Sequence, residues 1–355
     1  MSSDVLTRVD GHAATLSLNR PSALHALTLD MVHAMTAAML GWRDDPAVAC
    51  IIIDHAPSPD GDPKRSRGFC AGGDIAFLRN SALNDGGASG SKFFHNEYQL
   101  NHLLFTYPKP VVAFMDGVTM GGGVGISQPA QFRVATENTR LAMPETGIGL
   151  FPDVGGGWYL SRLKGRLGQY LALTGARFDG AECLWAGLAT HYLSSDALAE
   201  AKGRVAAGDA PGAVLDALAV SPTDAKIAAH ADAIALHFAS DRYEDILASL
   251  AADDSEWASA TLATLCTKSP QTCKVALRQL ATSLSLPDFA ANMAMEYRIA
   301  SRVIILPDFA EGVRAVIIDK DNAPAWNPAT PQAMTDAMLD AIFSHLPKSE
   351  EWNPL

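Results

Sequence analysis

The sequence contains no apolar run approaching the roughly 20 residues that a bilayer-spanning helix needs, so no membrane partner is expected. Positive charge is scarce. Lys and Arg number 27 against 39 Asp and Glu, for a net charge of −12. An acidic surface repels phosphate backbones, which argues against a nucleic-acid partner. Any anionic ligand needs a local basic patch. Cysteine is sparse too: the five are Cys50, Cys70, Cys183, Cys266 and Cys273, and no two form a CxxC pair. That excludes a disulfide framework and a zinc site, and points to a reducing compartment. No cluster of ligating side chains calls for another metal. Met1 to Asp10 holds neither the apolar stretch of a secretory signal nor the arginines of a transit peptide. A soluble, cytoplasmic protein is the expectation.

What is present supports a large core: 355 residues, 48% hydrophobic and 19% charged. Ala13 to Leu18 alternates like a half-buried strand and stops at Arg20-Pro21. Thr28 is placed to cap a helix through Met39, with Leu29, Val32, Met35 and Met39 at helical spacing. Val48 to Ile53 and Pro110 to Phe114 are short, β-branched-rich runs of the buried-strand kind. Phe132 to Ala135 and Arg140 to Met143 read as extended segments around a turn at Glu137-Asn138. Trp158 to Leu163 and Leu167 to Leu173 read as helices stopped by Gly165 and Gly175. Asp179 and Glu182 have the spacing of a capping box. The recurring order, strand, strand, helix, predicts an α/β architecture of stacked turns. Beyond about Ser194 alanine and leucine dominate and strand signals fade. Residues 1–200 are therefore expected to form the α/β core and 201–355 a mainly helical region.

Four segments can carry chemistry. Gly68-Phe69-Cys70-Ala71-Gly72-Gly73-Asp74 is either a tight turn or a place where main-chain N–H groups approach a ligand closely. Cys70 lacks a local base and reads as a packing residue. Met120-Gly121-Gly122-Gly123-Val124-Gly125 joins a strand to a helix. Its free N–H groups suit a developing oxyanion, although close helix-to-sheet contact also explains the glycines. It matches neither a dinucleotide fingerprint nor a P-loop. The stretch from Met143 to Gly157 sets Glu145 and Asp153 among Ile148, Leu150 and Phe151, a setting that raises a carboxylate's pKa. Glu97 shares the apolar stripe of the helix predicted over 91–105 with Phe93, Leu100 and Leu104. It is either a solvated stripe edge or a carboxylate lining a site. His95 falls off the stripe and reads as a surface residue. Lys64, Arg65 and Arg67 form a basic loop, a solvated cluster or a phosphate patch.

Taken in order, these motifs, with Leu18-Asn19-Arg20-Pro21 and Ala26-Leu27, resemble the crotonase (enoyl-CoA hydratase/isomerase) superfamily. The residue before Ala26, commonly Asn in that family, is His25 here. The resemblance implies a ββα spiral with a helical C-terminal region, and an oxyanion hole made by the N–H groups of Gly73 and Gly122. It maps one catalytic glutamate onto Glu145 and the second hydratase glutamate onto Gly125. A closer similarity is to 3-hydroxyisobutyryl-CoA hydrolases, which share the three motifs. Their C-terminal half also matches Ser269-Pro270, Glu296-Tyr297-Arg298 and Phe309-Ala310-Glu311-Gly312-Val313-Arg314. That similarity places the substrate at Glu97, Gly122, Glu145 and Asp153, with Glu145 and Asp153 catalytic. It implies thioester hydrolysis of a short 3-hydroxyacyl-CoA in valine degradation, with coenzyme A as part of the substrate and no separate cofactor or metal. A homo-oligomer is compatible with it. The alternatives are an enoyl-CoA hydratase or isomerase, and a binding protein that kept the fold without the chemistry.

Overall fold

The computed structural model describes residues 4–58 and 68–355. The basic loop Lys64, Arg65 and Arg67 lies outside them. Ten strands are described: β1 Val5–Asp10, β2 Ala13–Leu18, β3 Cys50–His55, β4 Gly68–Cys70, β5 Val111–Met115, β6 Val118–Met120, β7 Phe132–Ala135, β8 Arg140–Ala142, β9 Phe178–Asp179 and β10 His191–Tyr192. They form two sheets, ordered β1-β2-β3-β5-β7-β10 and β4-β6-β8-β9. From β3 to β8 successive strands alternate between the sheets, and like neighbours run parallel. Each turn of chain thus lays one strand on each sheet before a helix returns it. This is the mixed α/β ββα spiral of the crotonase fold.

The local elements follow the sequence closely. Thr28 caps the helix Leu29–Arg43 by accepting from Met31 N–H, and that helix buries Met31, Val32, Met35 and Met39. Asp179 and Glu182 form the capping box, and the helix they start ends at Gly187. One strand differs from expectation. All six residues of β2 are buried rather than alternate ones. The cause is a helix from later in the chain, Leu198–Ala206, whose Leu198, Ala201 and Val205 cover the face of the sheet carrying Ala13, Cys50, Ile52 and Val112. The buried Ser17 hydroxyl accordingly donates to Asp54 at 2.5 Å, and Lys202 of the covering helix pairs with the same carboxylate at 2.9 Å.

After β10 the described chain is helical. Its apolar residues join the main core, which runs from Val5 to Trp352. The helices Pro270–Ser283 and Phe289–Val303 pack against the spiral. No helix among the described residues is long and apolar enough to cross a membrane.

Candidate active site

The site is built where strands of the smaller sheet end. β4 runs into Gly72, at φ +111°, and β6 runs into Gly121, at φ +47°. Because β4 and β6 are neighbours, the loops leaving them meet. A Cβ on Gly72 would stand 3.6 Å from Gly122 N, and one on Gly122 would stand 3.3 Å from Gly72 C. A loop ahead of the first helix flanks this junction. Leu27 N–H donates to Gly72 O and Leu27 O accepts from Asp74 N–H. Asp74 also caps the helix Ile75–Asn84 and pairs with Arg20 at 2.9 Å. Between these bonds the N–H of Gly73 has no acceptor among the described residues, nor does that of Gly122. The two expected donors are therefore adjacent and free.

Three carboxyls face the same cavity of about 490 Å³, which Gly73 and Gly122 also line. Glu97 sits on the helix Ala88–Phe105 at 2% exposure, which decides between the two readings of its stripe in favour of burial. Glu145 opens a 3-10 turn after β8, and Asp153 follows eight residues later; each is 4% exposed. Glu145 Oε1 would stand 3.1 Å from a Cβ on Gly121, and Glu97 Oε1 2.5 Å from one on Gly122. Only glycine lets both carboxylates lean over that loop. Neither Glu97 Oε1 nor Glu145 Oε2 has a hydrogen-bond partner among the described residues. Asp153 is better supported, since the Tyr98 hydroxyl donates to it at 2.8 Å.

Burial without a countercharge dominates the electrostatics. It raises the Glu97 and Glu145 carboxyls well above the usual carboxylate range, and the charge of Asp153 adds to both. Asp153 is pushed by burial to about 7, with the Tyr98 hydrogen bond opposing the rise. Burial thus favours the protonated form of all three groups, and ionisation of Asp153 disfavours ionisation of Glu97 and Glu145. Cations stand elsewhere on the cavity wall, on Arg177 and Lys268. Burial holds the Lys268 ammonium below its usual pKa.

Cys70 is fully buried and its thiol is pushed up to about 12, so it packs rather than reacts. His95 is half-buried, not a surface residue, because its ring meets Tyr297 edge-on with centroids 5.4 Å apart. His25 is buried in a left-handed conformation, and burial lowers it to about 4, which keeps it neutral. Sequence reasoning missed Tyr98, Arg177 and Lys268, and it quoted Glu296 only as part of a matching motif, with no role at the site. Tyr98 could have been found, since it adjoins Glu97 on the same helix.

The spiral, the paired free amides and the buried acids together define the crotonase class, enzymes that act on acyl-CoA thioesters. The chain belongs to the enoyl-CoA hydratase/isomerase family, whose model matches residues 13–343. Among curated relatives, the 3-hydroxyisobutyryl-CoA hydrolase, mitochondrial, of Xenopus tropicalis is 41% identical over 96% of this chain and 88% of its own length. The Homo sapiens protein of the same name is 39% identical over 98% and 90%. Among solved structures, a carnitinyl-CoA dehydratase from Mycobacterium thermoresistibile superposes with a TM-score of 0.92, at 37% identity and 99% coverage of both chains. An enoyl-CoA hydratase from Rhodobacter sphaeroides gives 0.89 at 34% identity, covering 99% of this chain and 100% of its own.

Proposed function

We propose that the chain hydrolyses the thioester of a short 3-hydroxyacyl-CoA, with 3-hydroxyisobutyryl-CoA as the first candidate. The observation that carries this reading is the buried Glu145 carboxyl beside the Gly121–Gly122 loop, its Oε2 without a hydrogen-bond partner among the described residues, next to two free amides. The thioester oxygen accepts hydrogen bonds from the N–H groups of Gly73 and Gly122. Each such donor is worth about 2.7–4 kcal/mol to a developing oxyanion. Ionised Glu145 attacks the acyl carbon, or takes a proton from a water that does. The tetrahedral oxyanion collapses, the C–S bond breaks, and the thiolate takes a proton from a protonated neighbouring carboxyl. If Glu145 itself bonds to carbon, water then adds to the acyl carbon of the anhydride, giving a proton to the neighbouring carboxylate that protonated the thiolate, and Glu145 leaves as the carboxylate. Asp153 and Glu97 bind the 3-hydroxyl and hold the mobile protons. Arg177 and Lys268 supply the positive charge that the anionic coenzyme A needs in an acidic chain.

The names of the solved relatives favour a second reading, hydration of an enoyl-CoA. A hydratase uses two glutamates, and the second maps onto Gly125. A Cβ there would lie 2.6 Å from Val154 Cβ and 2.9 Å from Asn101 Nδ2, so the position has no room for a side chain. That favours hydrolysis. The deciding assay follows free thiol from 3-hydroxyisobutyryl-CoA beside loss of the enoyl chromophore of crotonyl-CoA. Thiol release is expected, and chromophore loss without thiol release would replace this reading by the second. Glu145→Gln is expected to lower kcat by ~10²–10⁴-fold with an unchanged melting temperature, the range for a positioned acid or base. A near-normal rate would remove Glu145 from the chemistry.

A further inference from the structure

Asp153 reaches the cavity on an uncommon turn. Val154 is left-handed at φ +53° and Gly155 follows at +90°. A β-branched residue at positive φ costs of order 1–3 kcal/mol and persists only where its surroundings over-determine it. Here they do. Glu296, on the helix Phe289–Val303, is fully buried, and its Oε2 accepts from Gly155 N–H at 2.7 Å. Its Oε1 accepts from Gly157 N–H, Gln279 Nε2 and Asn292 Nδ2, each at 2.9 Å. Gln279 in turn donates to Pro152 O at 2.7 Å. The segment from Pro152 to Gly157 is thus tied by both ends of one carboxylate to two C-terminal helices.

We propose that Glu296 is a positioning residue for the acyl-CoA reaction: by clamping the Val154–Gly155 turn it fixes where Asp153 stands, and by its charge it helps set when Asp153 holds a proton. The proposal rests on the hydrolytic reading for its kinetic consequence, though not for its geometric one. Glu296 is itself pushed to about 7, first by burial against the pull of its hydrogen bonds, with the charge of Asp153 adding to the rise. Repulsion is mutual, so a charge on either group disfavours a charge on the other. The other ionisable groups facing this pair are Tyr98 and Glu97 on one helix, Glu145 in its 3-10 turn, and Tyr159 on the helix that follows the clamped turn. None of them accepts a hydrogen bond from the Gly155 and Gly157 N–H groups that Glu296 holds.

The test uses the full chain and Glu296→Gln. An amide in this place must turn its NH₂ group toward at least one donor, so the clamp loosens while the volume is kept. The titration of Asp153 is read directly from an isotope-labelled aspartate carboxyl resonance, assigned by its loss in Asp153→Asn. It is expected to fall by about one pH unit in Glu296→Gln, the scale of losing one nearby like charge. In thiol-release assays kcat is expected to fall by up to ~100-fold, the loss typical of a group displaced by about 1 Å. KM is expected to stay within a few-fold of its starting value, and the alkaline limb of the pH profile to move down with Asp153. Asn292→Ala, which keeps the carboxylate and removes one donor, should move Asp153 in the same direction by less, and it carries the test if Glu296→Gln does not fold. An unmoved Asp153 resonance overturns the proposal. If the resonance moves while the unaltered protein releases no thiol from any acyl-CoA, the hydrolytic reading fails and the positioning role stands.

Discussion

Burial gives each carboxyl of the cavity a cost in stability as well as a use. An acid whose pKa is higher folded than unfolded keeps its proton in the fold while the unfolded chain loses it. Its full contribution is present below the unfolded value, near 4, and is lost as pH rises through the folded one. For Asp153 that window runs from its ordinary value of 3.8 to about 7. Asp153→Asn is therefore expected to raise the melting temperature by a few degrees at pH 8 and by much less at pH 4, in a thermal scan at both values, while lowering turnover. A lower melting temperature at pH 8 would count against a raised pKa at Asp153. The same group predicts an alkaline limb near pH 7 in kcat, because the thiolate needs a donor, and that limb should disappear in the remaining activity of Asp153→Asn.

Elements differ in how much of the site the sequence exposes. Glu97 was legible because helical phase puts it on a stripe of Phe93 and Leu100, where a carboxylate is out of place. Glu145 and Asp153 were legible from apolar neighbours in a Gly- and Pro-shaped segment. Tyr98 was not singled out, since a tyrosine on a buried helix face is ordinary packing until its hydroxyl partner is known. Lys268 and Arg177 were hidden by distance along the chain, and so was the role of Glu296, which the sequence showed only inside a matching motif. Glu296 is bound to amides 141 and 139 positions away, and no local pattern reports such a bond. The glycine loops were legible as either turns or donors, and the structure adds that the Gly73 and Gly122 N–H groups have no acceptor among the described residues. Gly122→Ala would drive a methyl to 2.5 Å from Glu97 Oε1 and 3.1 Å from Leu27 Cδ1. It is expected to lower kcat by ~10-fold or more by shifting the amide from its oxyanion position. Circular dichroism should show the secondary structure kept, and an unaltered rate would mean that the loop gives way without consequence.

At the scale of the molecule, an acidic chain must hold a substrate that is itself strongly anionic. With a net charge of −12 the cations that line the cavity, Arg177 and Lys268, are where the test of capture begins. Lys268→Ala is expected to raise KM by roughly 10-fold, leave kcat within about twofold, and flatten the dependence of KM on ionic strength. Steady-state kinetics at two salt concentrations check this, and an unchanged KM would assign the phosphates to other cations. The helical region also shapes the fold that the sequence only partly showed. β2 read as half-buried because its own alternation is regular, and only the helix Leu198–Ala206, nearly two hundred residues on, closes its second face. The adjacency of β4 and β6 has a further consequence. Neighbouring strands stand ~4.8 Å apart by the demands of their own hydrogen bonding. The ladder therefore sets how closely the loops leaving β4 and β6 approach each other, while Gly73 and Gly122 themselves lie just beyond the paired residues. Replacing the acids around those loops would leave the strand pairing that brings them together untouched, so one backbone frame can carry different sets of acids beside the same two loops.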